Sequence, residues 1–432
     1  MNNNFELLDL PNEVLFKILL FIPNLHEYTN KLKNKKLKNF IETIISNYNE
    51  INEKWKGNIE MLIKHLFNVE NENVIIFIYY NSEENYVKKY IAYYAGYYNN
   101  KYLIDILYIT NYEEIAKGAA EGGHINLVKY AIANGFNDYD LIAAYAAKGG
   151  HIDIVKYAVS LGAKNFNLIA VYAAKGGHLN IINYAIENGA NNYEDITTAA
   201  ARYGHLDIVM KFNTRNYYEI ATNGAIGGHL DVIKFAADNG FNNYIAIASI
   251  AAKEGHLHVV EYAVEKGANN YEQIAINAAR YGHLDIVKYA VKLGARNYNE
   301  IAYNTVMYNN VDIVRYAFDL GANNYQEIAN IAALQGYLDI VELAVERGAT
   351  NYDKIATNGA KNGNLNVVKY AVYKGARNYN KIALYGAIKG YLDIVKFAIK
   401  KGANNYEIIA RFAGMHGYFK ILNYLHEIGV IN

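Results

Sequence analysis

An aromatic residue marks a fixed register along three quarters of the chain: Tyr112, Tyr139, Phe166, Tyr193, Tyr217, Tyr244, Tyr271, Tyr298, Tyr325, Tyr352, Tyr379 and Tyr406. The interval is 27 residues at all but one step, from Tyr193 to Tyr217, and the twelve units share one pattern. A segment of that length cannot bury an apolar face by itself, so a chain of such units must stack them, each layer resting on its neighbours.

The unit Asn270 to Ala295 shows what one layer contains. Ile274, Ala275, Ala278 and Ala279, then Leu284, Ile286, Val287, Ala290 and Val291, fall at helical spacing. Asn270 stands where a first helix starts, and Gln273 three residues on completes a capping box. The same pairing recurs as Asn111 with Glu114, Asn216 with Glu219, Asn297 with Glu300, and Asn324 with Glu327. Gly282 and Gly294 supply the left-handed residues that end the two helices. The unit therefore reads helix, tight turn, helix, loop. Ala-Ala pairs such as Ala146-Ala147, Ala173-Ala174 and Ala278-Ala279 are too small to fill a core and predict close approach between adjacent helices. Between His205 and His229 the unit is three residues short, which predicts an early end to its second helix and a local change of curvature.

The pattern A-A-x-x-G-H-L-D-I-V-K-Y-A-V-x-x-G-A, in register from about Tyr112 to Asn432, resembles the second half of an ankyrin repeat. Two features depart from that family. Its T-P-L-H has become Gln273-Ile274-Ala275-Ile276, and the unit has 27 residues rather than the usual 33. The shortening falls where ankyrin repeats project a β-hairpin, so loops such as Gly294 to Tyr298 are expected in its place. The resemblance implies an all-α, ankyrin-like helical-hairpin solenoid of about twelve repeats plus a degenerate first one, with a concave face that holds a protein partner.

Ahead of the array, both prolines of the chain bracket Leu10 to Pro23. Pro11 suits the first turn of a helix and Pro23 its end, with Val14, Leu15, Ile18, Leu19 and Ile22 forming one apolar stripe. This stretch resembles the opening helix of an F-box, matched by Leu10, Pro11, Glu13, Val14, Leu15, Ile18 and Leu19. The resemblance implies docking on a Skp-type adaptor and, through it, a cullin–RING ubiquitin ligase. An ordinary amphipathic capping helix is the alternative reading. The domains expected are thus residues 1–50, F-box-like; 51–85, a helical bridge; 86–111, a degenerate capping repeat; and 112–432, the repeats. F-box and ankyrin fusions of this kind resemble host-interaction proteins of large DNA viruses.

Charge and composition narrow the function further. Lys plus Arg equals Asp plus Glu at 42 each, so the summed field attracts neither nucleic acid nor acidic membranes. The chain lacks cysteine, which excludes disulfides and thiolate chemistry and fits a reducing compartment. Its longest apolar run, Val14 to Ile22, contains Lys17 and is too short to span a bilayer, and no signal peptide is apparent. An intracellular protein, cytoplasmic or nuclear and in a host cell if viral, monomeric by itself, is the expectation. The lysines between Lys31 and Lys38 read as a solvated face or linker.

Histidines at 124, 151, 178, 205, 229, 256 and 283 occupy the turn column. Layers about 10 Å apart cannot share one zinc ion, whose ligands lie about 2 Å away, so hydrogen bonding in the turn is expected of them rather than a metal. No catalytic constellation or cofactor motif is present, and the protein is read as a binding module, not an enzyme. The column that varies without a packing reason lies just before the glycine that ends each first helix: Lys148-Gly149, Lys175-Gly176, Arg202-Tyr203, Lys253-Glu254, Arg280-Tyr281, Met307-Tyr308, Leu334-Gln335 and Lys361-Asn362. Arg and Tyr are enriched at binding hot spots. From this column Lys175, Arg202, Tyr203, Lys253, Glu254, Arg280, Tyr281, Met307, Tyr308, Leu334 and Gln335 are expected to contact the partner, with a solvated helix end as the plain alternative and a nucleic-acid-binding solenoid as the remaining one.

Overall fold

The computed structural model describes residues 59–69, 72–82 and 85–431, and every regular element among them is a helix. The F-box-like stretch from Leu10 to Ile22 lies outside the described residues, as does the lysine-rich segment that follows it.

Two helical pairs precede the regular layers: α1 (Ile59–Asn68) with α2 (Glu72–Asn81), then α3 (Asn85–Tyr97) with the short α4 (Lys101–Ile106). Leu62, Ile63 and Leu66 of α1 are fully buried, and α1 packs on α3, which packs in turn on α5 (Tyr112–Gly122). Asn100 starts α4 by accepting the N–H of Leu103. The degenerate unit is therefore a layer of its own.

From Tyr112 onward each registered aromatic is the first residue of a helix, and a second helix starts just after the histidine column, as in Ile152–Leu161 after His151. At Gly150 the turn takes φ 86°, where a side chain would be strained. One layer lacks the glycine. There Asn309 takes φ 59°, a conformation asparagine tolerates, and the helix ends early at Val306. Short loops link the layers, and no strand occurs among the described residues.

The molecule divides into two compact units, Met1–Asn216 and Tyr217–Asn432. The division follows the short repeat, whose second helix, Leu206–Lys211, has 6 residues where its counterparts have 9 or 10. The early end expected from the missing residues is therefore present. Buried Thr197 lies 3.1 Å from the carbonyl of Phe212, the residue at that early end.

Within each unit, first helices lie side by side along their lengths while second helices touch far less. Small residues permit this. Ala146, Ala147, Ala173, Ala174, Ala278 and Ala279 are fully buried, between isoleucines such as Ile142, Ile169 and Ile274. At the tightest contact, a Cβ added to Gly118 would sit 1.9 Å from the carbonyl oxygen of Tyr93.

The helix starts fall where the asparagines predict, but the capping box is not general. Asn111 accepts from the N–H of Glu114 at 3.2 Å, while the Glu114 carboxylate is held by Lys117 at 2.8 Å. At Asn297 and Asn324 the amide instead donates to the carboxylates of Glu300 and Glu327, at 3.2 and 3.3 Å. Asn270 donates to Ser249 at 2.9 Å, and Gln273 turns to Asn277. With no lysine to hold it, an acid at the third position draws the amide N–H and leaves the buried asparagine oxygen without a partner.

Candidate functional site

Three sets of contacts between layers fix the surface on which the varying column stands. The first uses the turn histidines. His178 Nε2 lies 3.2 Å from the carbonyl of Lys148, His205 Nε2 3.1 Å from that of Lys175, and His283 Nε2 3.0 Å from that of Lys253. A carbonyl oxygen only accepts, so each ring carries its proton on Nε2 and donates to the end of the preceding first helix. The hydrogen bond thus joins two layers instead of closing the histidine's own turn. The ring also lies against the preceding layer's turn glycine, where a side chain would collide with it: at Gly150 an added Cβ would be 2.6 Å from His178. Asn364 does the same work in a later layer, donating to Leu334 at 3.0 Å. Burial, with the charges of His151 and His205, holds the His178 pKa below its ordinary value. Among the described residues no three His, Cys, Asp or Glu side chains group to hold a metal.

The second set replaces the hairpin row. Asp140 accepts the N–H groups of Lys164 and Asn165 at 2.6 and 2.7 Å, and Asp353 accepts those of Arg377 and Asn378 at 2.7 and 2.8 Å. The polar residue after the registered aromatic thereby ties down the next loop. The third set lies on the second helices, where Lys129, Lys156 and Lys288 stand over the rings of Tyr157, Tyr184 and Tyr316 at 5.3 to 5.7 Å.

The expected partner residues stand at the C-terminal ends of the first helices. In the first unit Lys148 pairs with Glu121 at 2.8 Å, and Lys175 stands 3.9 Å over the ring of Tyr172. Arg202 and Tyr203 are exposed. Burial, reinforced by the charges of Lys148 and Arg202, pushes the Lys175 pKa down. In the second unit Lys253 pairs with Glu254 at 3.2 Å and stands over Tyr281, while Arg280 donates to Asn304 at 2.7 Å. The rings of Tyr281 and Tyr308 lie 5.8 Å apart, and Tyr281, Tyr308 and Met307, which precedes Tyr308 in the chain, are 43%, 53% and 47% exposed. Leu334 is half-buried and Gln335 exposed. Asn362, from the same column, donates to the carbonyl of Leu334 at 2.9 Å and so serves packing.

Residues outside that column join this surface. Tyr93, Tyr145 and Tyr172 form a run of rings, 6.2 and then 5.4 Å apart. Tyr145 and Tyr172 each stand six residues after a registered aromatic, where other layers carry Ala199, Asn223 or Asn277. That alternation was the available signal. A pocket of about 510 Å³ opens beside them, lined by Glu60, Tyr86, Tyr90, Tyr93, Glu121 and Lys148 among others. Tyr93 donates to Glu121 at 2.5 Å, and its burial together with that carboxylate keeps the phenol protonated far into the alkaline range.

No protein-family model matches the chain, and no curated protein matches it either. Among solved structures it is similar to the pentatricopeptide repeat protein PPR10 in complex with an 18-nt psaJ RNA element, at 11% identity over 97% of this chain and 89% of that one, with a TM-score of 0.26. A cysteine-to-serine variant of the same protein gives the same figures. Superposition at that level does not relate individual residues of the two chains.

Proposed function

We propose that this helical-repeat scaffold captures a protein partner on the C-terminal ends of its first helices, above all those of the second unit, and acts by binding rather than by catalysis. The observation that supports this most is the exposed group of Tyr281, Met307 and Tyr308. Aromatic residues and methionine are enriched where interfaces are buried, and the layers hold the rings of Tyr281 and Tyr308 together while Met307, next to Tyr308 in the chain, is also exposed. The ankyrin resemblance points to the same face.

The F-box resemblance of Leu10 to Leu19 extends the reading: the partner would be delivered to a cullin–RING ligase through a Skp-type adaptor, as in host-interaction proteins of large DNA viruses. A plain scaffold without that link is the alternative, and a nucleic-acid-binding solenoid a further one. One co-precipitation experiment separates them. Full-length protein, a Leu15→Asp/Ile18→Asp variant and a Tyr281→Ala/Met307→Ala/Tyr308→Ala variant are expressed in host cells and the captured proteins compared. The first variant should lose adaptor and cullin but keep the partner. The second should lose the partner, by tenfold or more, and keep the adaptor. Absence of the adaptor from the parent sample would remove the ligase link, and unchanged partner recovery with the alanine variant would remove the interaction face.

A further inference from the structure

Three successive first helices of the first unit, Tyr139–Gly149, Phe166–Gly176 and Tyr193–Tyr203, present a cation at the same place: Lys148, Lys175 and Arg202. Lysines at helix ends commonly serve the last carbonyls. Here the carbonyls of Lys148 and Lys175 are already taken by His178 and His205, so neither ammonium group is needed for that purpose. One carboxylate, Glu121, serves Lys148 and is shared with the hydroxyl of Tyr93. Lys175 has no carboxylate partner among the described residues and rests on the face of Tyr172. Burial first, and then the neighbouring charges of Lys148 and Arg202, lower its pKa. The helix dipoles offset part of that repulsion. In the second unit Lys253 pairs with Glu254, Arg280 with Asn304, and Lys361 stands over the ring of Tyr385.

Packed helices stand about 8–10 Å apart, and an extended or polyproline-type chain advances about 3.1–3.4 Å per residue. Three residues of such a chain therefore cover one layer, and the threefold turn of a polyproline helix returns every third side chain to the same side. Resting on the reading of the first-helix face as the recognition surface, we propose that Lys148, Lys175 and Arg202 bind an extended peptide segment with acidic residues at every third position, its backbone running over the rings of Tyr145 and Tyr172. A continuous polyanion suits the row less well. Nucleic acids bind through many phosphates, whereas the row offers three cations and the adjoining pocket is of mixed charge, with Glu60, Glu114 and Glu121 beside Lys64 and Lys89. Three separated carboxylates match three separated cations.

The test uses the full-length protein and fluorescence anisotropy. The probe is a labelled peptide of prolines and threonines with glutamates at its first, fourth and seventh positions. The comparison peptide has the same composition with its three glutamates adjacent, and a third probe is a single-stranded RNA of nine nucleotides. The spaced peptide should bind at least fivefold more tightly than the clustered one, more weakly as salt rises, and more tightly than the RNA. Lys175→Glu should weaken it tenfold or more with helicity unchanged by circular dichroism, while Lys292→Glu, exposed on a second helix, should leave it as in the parent. Equal affinity for both peptides, retention by Lys175→Glu, or tighter binding of the RNA would overturn the proposal. If the spaced peptide fails while the Tyr281/Met307/Tyr308 variant still loses its partner, the acid spacing falls and the wider reading stands.

Discussion

At position 118 a hydrogen atom stands where a methyl group would meet the backbone of the neighbouring helix, 1.9 Å from the Tyr93 carbonyl. This reverses an ordinary expectation. Gly→Ala within a helix stabilises by about 1 kcal/mol when the site is open, whereas forcing a group into a packed contact costs about 1–3 kcal/mol. Gly118→Ala should therefore lower the melting temperature, and a variant that melts higher than the parent would contradict the close approach. The turn histidines give a second residue-scale outcome. Because burial holds the His178 pKa below its ordinary 6.5, the unfolded chain takes up the proton first. The stability tied to a neutral His178 is then complete above about pH 6.5 and is lost as pH falls through the lower, folded value. His178→Asn, which borrows the solution found at Asn364, should flatten the fall in melting temperature below pH 6.5. An unchanged pH profile would mean that His178 titrates as a free imidazole does.

Among the elements, helix starts and stops were legible because they depend on near neighbours in sequence: a capping position, a helical run, a glycine. The helix from Tyr271 to Tyr281 begins and ends where Asn270 and Gly282 place it. What sequence did not show was the partner of each polar side chain, because that partner belongs to the adjacent layer. His178 reads as a turn residue until its contact, 30 residues back, is seen. Asp140 and Asp353 stand in the first turns of their helices, yet their carboxylates accept from loops 24 and 25 residues on. The candidate face was legible in part for the same reason. Variation singled out Arg202, Tyr281 and Met307, but Asn362 in the same column is occupied by the Leu334 carbonyl, and Tyr145 and Tyr172 entered only through their stacking at 5.4 Å.

For the whole molecule, repetition supplies rigidity and variation supplies recognition. Histidine, loop and lysine–tyrosine contacts recur within each unit, so first-helix ends such as those at Lys148, Lys175, Lys253 and Leu334 are held from the next layer. Side chains at those ends are left to differ. No helix of the described residues is long and apolar enough to cross a membrane. Exposure alone does not mark the face, since Tyr373, on a second helix, is 83% exposed and Tyr308 only 53%. That difference allows a direct comparison inside the second unit. A photoreactive p-benzoylphenylalanine is placed at Tyr308 in one protein and at Tyr373 in another, and both are irradiated in host cells. If the first-helix ends are the recognition surface, the less exposed position 308 yields a discrete crosslinked partner and the more exposed position 373 does not. A partner captured from position 373, with none from 308, would contradict the account.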